Sequence, residues 1–134
     1  MGKSAKLALM TYRVQGIDHV QIAIPEGGEP RAETFYGGLL GFEQLTKPAA
    51  LAGRGGCWFQ AGSVQLHVGA DPNFSPAKKA HPAFLFDGLD ELIAALEAAG
   101  HEVRIGATIN GVAQRFTDDP FGNRIELIEA STSG

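Results

Sequence analysis

The chain has 134 residues, 44% of them hydrophobic, with a formal net charge of -4. That suits one globular domain with a sizeable core. The pI is near 5.5 and the basic residues are scattered, so the footprint of a protein that binds nucleic acid or an anionic membrane is missing. The single cysteine, Cys57, excludes an internal disulfide framework and fits a reducing compartment, so a cytoplasmic location is expected.

The opening "MGKSAKLALM" places two lysines before only four apolar residues. This is too short for a signal-peptide core or a membrane span, and residues 1–14 read as an N-terminal tail. "STSG" at the other end reads the same way. The domain is expected over residues 15–130.

Within it, glycines divide the chain into segments that fall into the same order twice. "GIDHVQIAI" alternates Val20, Ile22 and Ile24 with His19, Gln21 and Ala23, as a half-buried strand does. After the loop "PEGGEP", the segment Arg31 to Phe42 carries Phe35, Leu39 and Phe42 at helical spacing and stops at Gly41. Gly37 and Gly38 weaken that helix by about 1 kcal/mol each, so packing must hold it. "FEQLTK", "GGCWFQAG" and "SVQLHVG" then give three strands, completing a βαβββ unit over residues 16–69.

A second unit, residues 80–130, repeats the plan. "AHPAFLFDG" is its first strand, with Pro82 near the start, where a missing donor is best tolerated. "LDELIAALEAAG" is the strongest helix in the chain: Leu89, Leu92, Ile93 and Leu96 form one stripe and Gly100 ends it. "HEVRIGAT", "AQRFTDDP" and "NRIELIEA" supply three more strands. The register sets His19 against His81 and Gly41 against Gly100. The expected fold class is α+β, two βαβββ repeats forming a curved mixed sheet around a cleft.

In "GNRIELIE" the alternation of a strand puts Glu126 on the face opposite Ile125 and Leu127. A lone strand glutamate is usually a solvated acid, so what shares its face decides its role. Strand parity also offers Trp58 or Phe59, and Arg115 or Phe116, as walls of a cleft that binds substrate. An arginine there suits a carboxylate, phosphonate or thiol conjugate. Lys78, Lys79 and His101 read as exposed, and Cys57 as buried filler.

"DHVQIAI", "FYGGLLGFE", "AHPAFLFDGLDELIAALEAAGHEV" and above all "DDPFGNRIELIE" resemble the vicinal oxygen chelate superfamily, which includes glyoxalase I, fosfomycin-resistance proteins, extradiol dioxygenases and bleomycin-resistance proteins. The resemblance implies a cup-shaped sheet holding one divalent metal. It carries the ligand positions to His19, His81 and Glu126. The fourth falls on Gln65, with His67 two residues further along the same face. Zn, Ni, Co, Mn or Fe(II) suits such a donor set. The implied function is a glyoxalase-type, metal-dependent lyase or isomerase acting on a small oxygenated metabolite, with Glu126 catalytic. The alternatives are a metal-free, bleomycin-resistance-like sequestering protein and an extradiol dioxygenase. A homodimer is expected, because relatives cover their apolar sheet edges by pairing.

Overall fold

In the computed structural model of the chain, residues 9 and 11–130 are described. The tail expected over residues 1–14 lies largely outside them, and residues 131–134 wholly so. The two units have the same plan. In the first, β1 (His19–Ile24) leads through a helix to β2 (Glu43–Leu45), β3 (Cys57–Ala61) and β4 (Val64–Ala70), and a 3-10 segment (Ala49–Arg54) fills the link from β2 to β3. In the second, β5 (Ala83–Phe86) leads through a ten-residue helix (Leu89–Ala98) to β6 (Arg104–Ile109), β7 (Val112–Asp118) and β8 (Arg124–Glu129).

Each unit folds into a four-stranded mixed sheet, with orders β1-β4-β3-β2 and β5-β8-β7-β6. The first and last strands of each unit run parallel, and the remaining pairs are antiparallel. This is the α+β fold expected from the repeated order. The β6–β7 hairpin turns on Asn110 and Gly111, both at positive φ (52° and 79°), the signature of a tight two-residue hairpin loop.

The first helix departs from its sequence pattern. Its α-helical part is only Glu29–Ala32, with Pro30 in the first turn, and it continues as a π-helix over Glu33–Leu39. The adjacent Phe35 and Tyr36 of this segment both reach the interior, where they are 1% and 0% exposed.

One core serves both sheets. Ile24, Phe59, Leu66 and Val68 from the first sheet join Ile125 and Leu127 from the second, with Phe35, Tyr36 and Leu96 of the two helices among them. Phe42 bridges the units, its ring centroid 4.9 Å from that of Phe84. Because the oily faces share this core, the opposite face of each sheet, which carries the polar residues, is turned away from it. No helix among the described residues is long and apolar enough to cross a membrane.

Candidate functional site

Glu126 pairs with Ala83 on one side and Phe116 on the other, so these three residues lie on the face of the second sheet away from the core. His81 precedes β5 rather than lying within it. Its ring is fixed at both nitrogens: Nδ1 is 3.0 Å from the Lys79 carbonyl oxygen and Nε2 is 3.0 Å from Glu126 Oε1. Gln114 donates to Glu126 Oε2 at 3.4 Å, and Phe116 meets the imidazole edge-on at 5.6 Å. Glu126 is largely buried, its side chain 13% exposed against 24% for His81. Both neighbours of the imidazole are acceptors. A neutral ring donates either from Nε2 to Glu126 or from Nδ1 to the Lys79 carbonyl, and in the second tautomer Nε2 turns a lone pair toward the carboxylate side, as a metal ligand does. Imidazole nitrogen and carboxylate oxygen are donor types that divalent metals accept, and the Lys79 carbonyl orients the ring from behind.

The other expected ligand residues lie on the first sheet. His19 opens β1 opposite Gln65, while His67 pairs with Gln21 and with Trp58. The rings form a stack: Trp58 lies 3.7 Å from His67 at 3°, and His19 lies 4.0 Å from it on the other side at 13°. His19 Nδ1 is 2.8 Å from Asp18 Oδ2, which leaves Nε2 as the lone-pair nitrogen, again the pattern of an oriented ligand. His67 Nε2 is 2.9 Å from Gln65 Oε1. Burial within the stack holds the His67 pKa below the ordinary histidine value; nearby His19 adds to this and Asp18 opposes it. A neutral His67 donates its Nε2 proton to the Gln65 oxygen and fixes that amide.

The two units keep the same register along the ladder: His67 stands opposite Gln21, two residues after His19, just as Glu126 stands opposite Ala83, two residues after His81. Counted from each histidine's own place in the ladder, Glu126 in the second unit corresponds to His67 in the first, whereas the residue pattern matches it to Gln65. Both lie on the same face and are bonded to each other.

Within one chain the halves stay apart. Among the described residues, no group of three or more His, Cys, Asp or Glu side chains is placed to hold a metal ion. The structure brings His81 to Glu126, and His19 to His67 and Gln65, on two faces that both point away from the shared core.

Of the expected wall residues, Trp58 and Phe116 lie on these faces. Phe59 does not: it is 0% exposed and part of the core, because its neighbour Trp58 takes the other side of β3. Arg115 is likewise corrected, since it pairs with the core-facing Leu127 and so lies opposite Phe116 and Glu126. Sequence reasoning missed Arg124, which shares the Glu126 face; the signal was its spacing of two residues from Glu126 on one strand. His101, expected to be exposed, is half-buried with its ring 5.0 Å from Phe35. Glu129 has a different task from Glu126. Its carboxylate accepts the N–H groups of Gly88 (3.3 Å) and Leu89 (2.9 Å), capping the second helix.

The Glyoxalase/Bleomycin resistance protein/Dioxygenase superfamily model matches residues 16–127. A crystal structure of a glyoxalase family protein from Bacillus anthracis is 46% identical, with a TM-score of 0.85, and the match covers 91% of this chain and 100% of that one. A glyoxalase family protein from Enterococcus faecalis is 25% identical, with a TM-score of 0.67, over 84% of this chain and 96% of that one. A lactoylglutathione lyase from Agrobacterium tumefaciens shares the fold at 22% identity and a TM-score of 0.69, over 92% and 99% of the two chains. A search of curated proteins returns no significant match. With its doubled βαβββ plan and a family match spanning nearly the whole domain, the chain belongs to the Glyoxalase/Bleomycin resistance protein/Dioxygenase superfamily.

Proposed function

We propose that the protein is a metal-dependent lyase or isomerase of the glyoxalase type, acting on a small oxygenated metabolite in a homodimer. The observation that carries this reading is the His81–Glu126 pair, an imidazole nitrogen 3.0 Å from a carboxylate oxygen with the ring anchored from behind. The same kind of backing at His19, by Asp18, supports a second ligand. In the proposed assembly, the His19 face of one copy, with its Gln65–His67 pair, closes over the His81–Glu126 face of the other, giving two sites related by the dimer axis. An open apolar groove of about 900 Å³ between β1 and β5 supports this pairing, as do the exposed Ile17 and Leu85 beside it.

A bound divalent ion supplies Lewis acidity to vicinal substrate oxygens. The chain's own residues do the rest. Glu126 Oε2, held among the described residues only by Gln114, moves a proton between adjacent substrate carbons, and its partial burial keeps competing water away. Trp58 and Phe116 wall the substrate from opposite sheets. The test is metal analysis of protein purified without chelator, followed by turnover of methylglyoxal–thiol adducts, fosfomycin and catechols; ring cleavage of the last identifies a dioxygenase instead. Glu126→Gln is expected to lower turnover by about 10²-fold or more.

The Trp58–His67–His19 stack favours a second reading, sequestration of a planar ligand without turnover. In that case Glu126→Gln leaves ligand affinity unchanged and no substrate is consumed.

A further inference from the structure

Among the described residues, Arg124 has no carboxylate partner on the face that carries His81 and Glu126. It stands opposite Asp118 in the β7–β8 ladder, the position where a cross-strand ion pair is expected. That carboxylate is already taken. Arg104 Nη2 donates to Asp118 Oδ1 at 2.9 Å, Arg104 Nη1 to Oδ2 at 3.4 Å, and Lys78 Nζ approaches Oδ2 at 3.5 Å. The other acid on this face, Glu126, is held by His81 and Gln114. Among the described residues, Arg124 Nε is buried with no acceptor. Glu102 Oε1 also lies 3.8 Å from Arg104 Nη1, so Lys78 and Arg104 have carboxylate partners while, among the described residues, Arg124 has none.

The guanidinium is held in place rather than free in solvent. Its carbon lies 5.6 Å from the Phe116 ring centroid, and Phe116 in turn meets His81, so the arginine, the aromatic ring and the imidazole follow one another across the sheet. Arg124 also lines the apolar groove alongside His81. A planar fork of donors resting on an aromatic face is suited to two-point recognition of an oxyanion.

We propose that Arg124 is the specificity residue of this site and recognises a carboxylate or phosphonate group on the bound molecule. The proposal rests on reading the His81–Glu126 face as the binding site. It gives the substrate a polarity: the reacting oxygens lie at His81 and Glu126, and the anionic group lies beyond Phe116.

The experiment uses the full chain after chelator treatment, so that metal is not the anion's partner. Methylphosphonate and acetate are titrated separately while the Arg124 Nε–Hε resonance is followed by NMR. The expected result is a saturable shift with at least one anion, and the stronger response assigns the phosphonate or the carboxylate. Arg124→Gln weakens binding at least tenfold, Arg124→Lys restores part of it, and Glu126→Gln retains it. On a turned-over substrate, Arg124→Lys raises KM with little change in kcat, as loss of a binding contact does. No shift with either anion, or equal binding by Arg124→Gln, overturns the proposal. So does conversion of the Arg124→Gln protein to monomers, which identifies Arg124 as an ion-pair partner between copies. Failure of the metal reading leaves the metal-free anion result intact, so the two claims fail separately.

Discussion

Tyr36 Oη donates a 2.7 Å hydrogen bond to Asp119 Oδ2, joining the first helix to the turn before β8 across 83 residues of sequence. Asp119 is the hub of that turn, also accepting the N–H groups of Phe121 and Asn123 and the Asn123 side-chain amide, each at 2.9 Å. Asn123 then reaches the Ala23 carbonyl at 2.8 Å and receives the Ala77 N–H at 3.0 Å, so β1, the linker and β8 are fastened together. Tyr36→Phe removes one bond and is expected to cost about 1 kcal/mol, whereas Asp119→Ala strands several buried donors and costs about 3 kcal/mol. Urea unfolding checks both; equal losses would mean that Asp119 does not act as the hub.

Gly56 marks the tightest backbone approach in the first unit. Its φ is 82°, and an added Cβ falls 2.1 Å from the Val68 carbonyl oxygen, which belongs to β4 and has no freedom to yield. Gly56→Ala is therefore expected to cost about 3 kcal/mol or more. Gly62, also at positive φ (63°) but with open space around it, tests strain alone, and Gly62→Ala is expected to cost only about 1 kcal/mol. Thermal melts of the two variants give the comparison, and similar melting points would contradict it.

Acid acts near the same place. The Gly56 N–H donates to Glu29 Oε2 at 2.7 Å, and this backbone bond is the main reason the Glu29 carboxyl is held below its ordinary value of 4.5. A lowered folded-state pKa stabilises the fold above the unfolded value, and the contribution is lost as pH falls through the folded one. Glu29→Gln is expected to flatten the acid limb of the stability curve below about pH 4.5. An unchanged limb would place the acid sensitivity elsewhere.

Cys57 faces the core, and burial, reinforced by the Glu33 and Glu29 carboxylates, pushes its thiol from 9.0 to about 11. A raised pKa stabilises the fold fully below the unfolded value, and the contribution is lost as pH rises through the folded one. The native protein is expected to resist thiol reagents near pH 8, where about one thiol in a thousand is ionised, and to react fully once unfolded. Rapid labelling of the folded protein would refute the burial argument.

The strands and the second helix were legible because their apolar residues keep a strict period, Val20–Ile22–Ile24 in one case and Leu89–Leu92–Ile93–Leu96 in the other. Two features were not. The π-helical turn at Glu33–Leu39 carries the same apolar residues an α-helix would carry, so periodicity does not distinguish the two. Nor does alternation reveal that the ladder sets Glu126 against His67 rather than Gln65, because a shift of two returns every side chain to the same face. The same parity rule separated Trp58 from Phe59 only once the ladder was known. Contacts such as Tyr36–Asp119 are too distant in sequence to be read from periodicity.

The central claim is that each site is built from two copies, and shared-site complementation tests it directly. His19→Ala and Glu126→Gln proteins are each expected to bind no stoichiometric metal. In a dimer with crossed faces, mixing them under exchange leaves one intact site in every mixed dimer, so metal occupancy should recover to about a quarter of the wild-type value, half the sites in half the dimers. If each chain builds its own site, every site in the mixture carries a lesion and occupancy stays at the background of the separate variants, which would contradict the account.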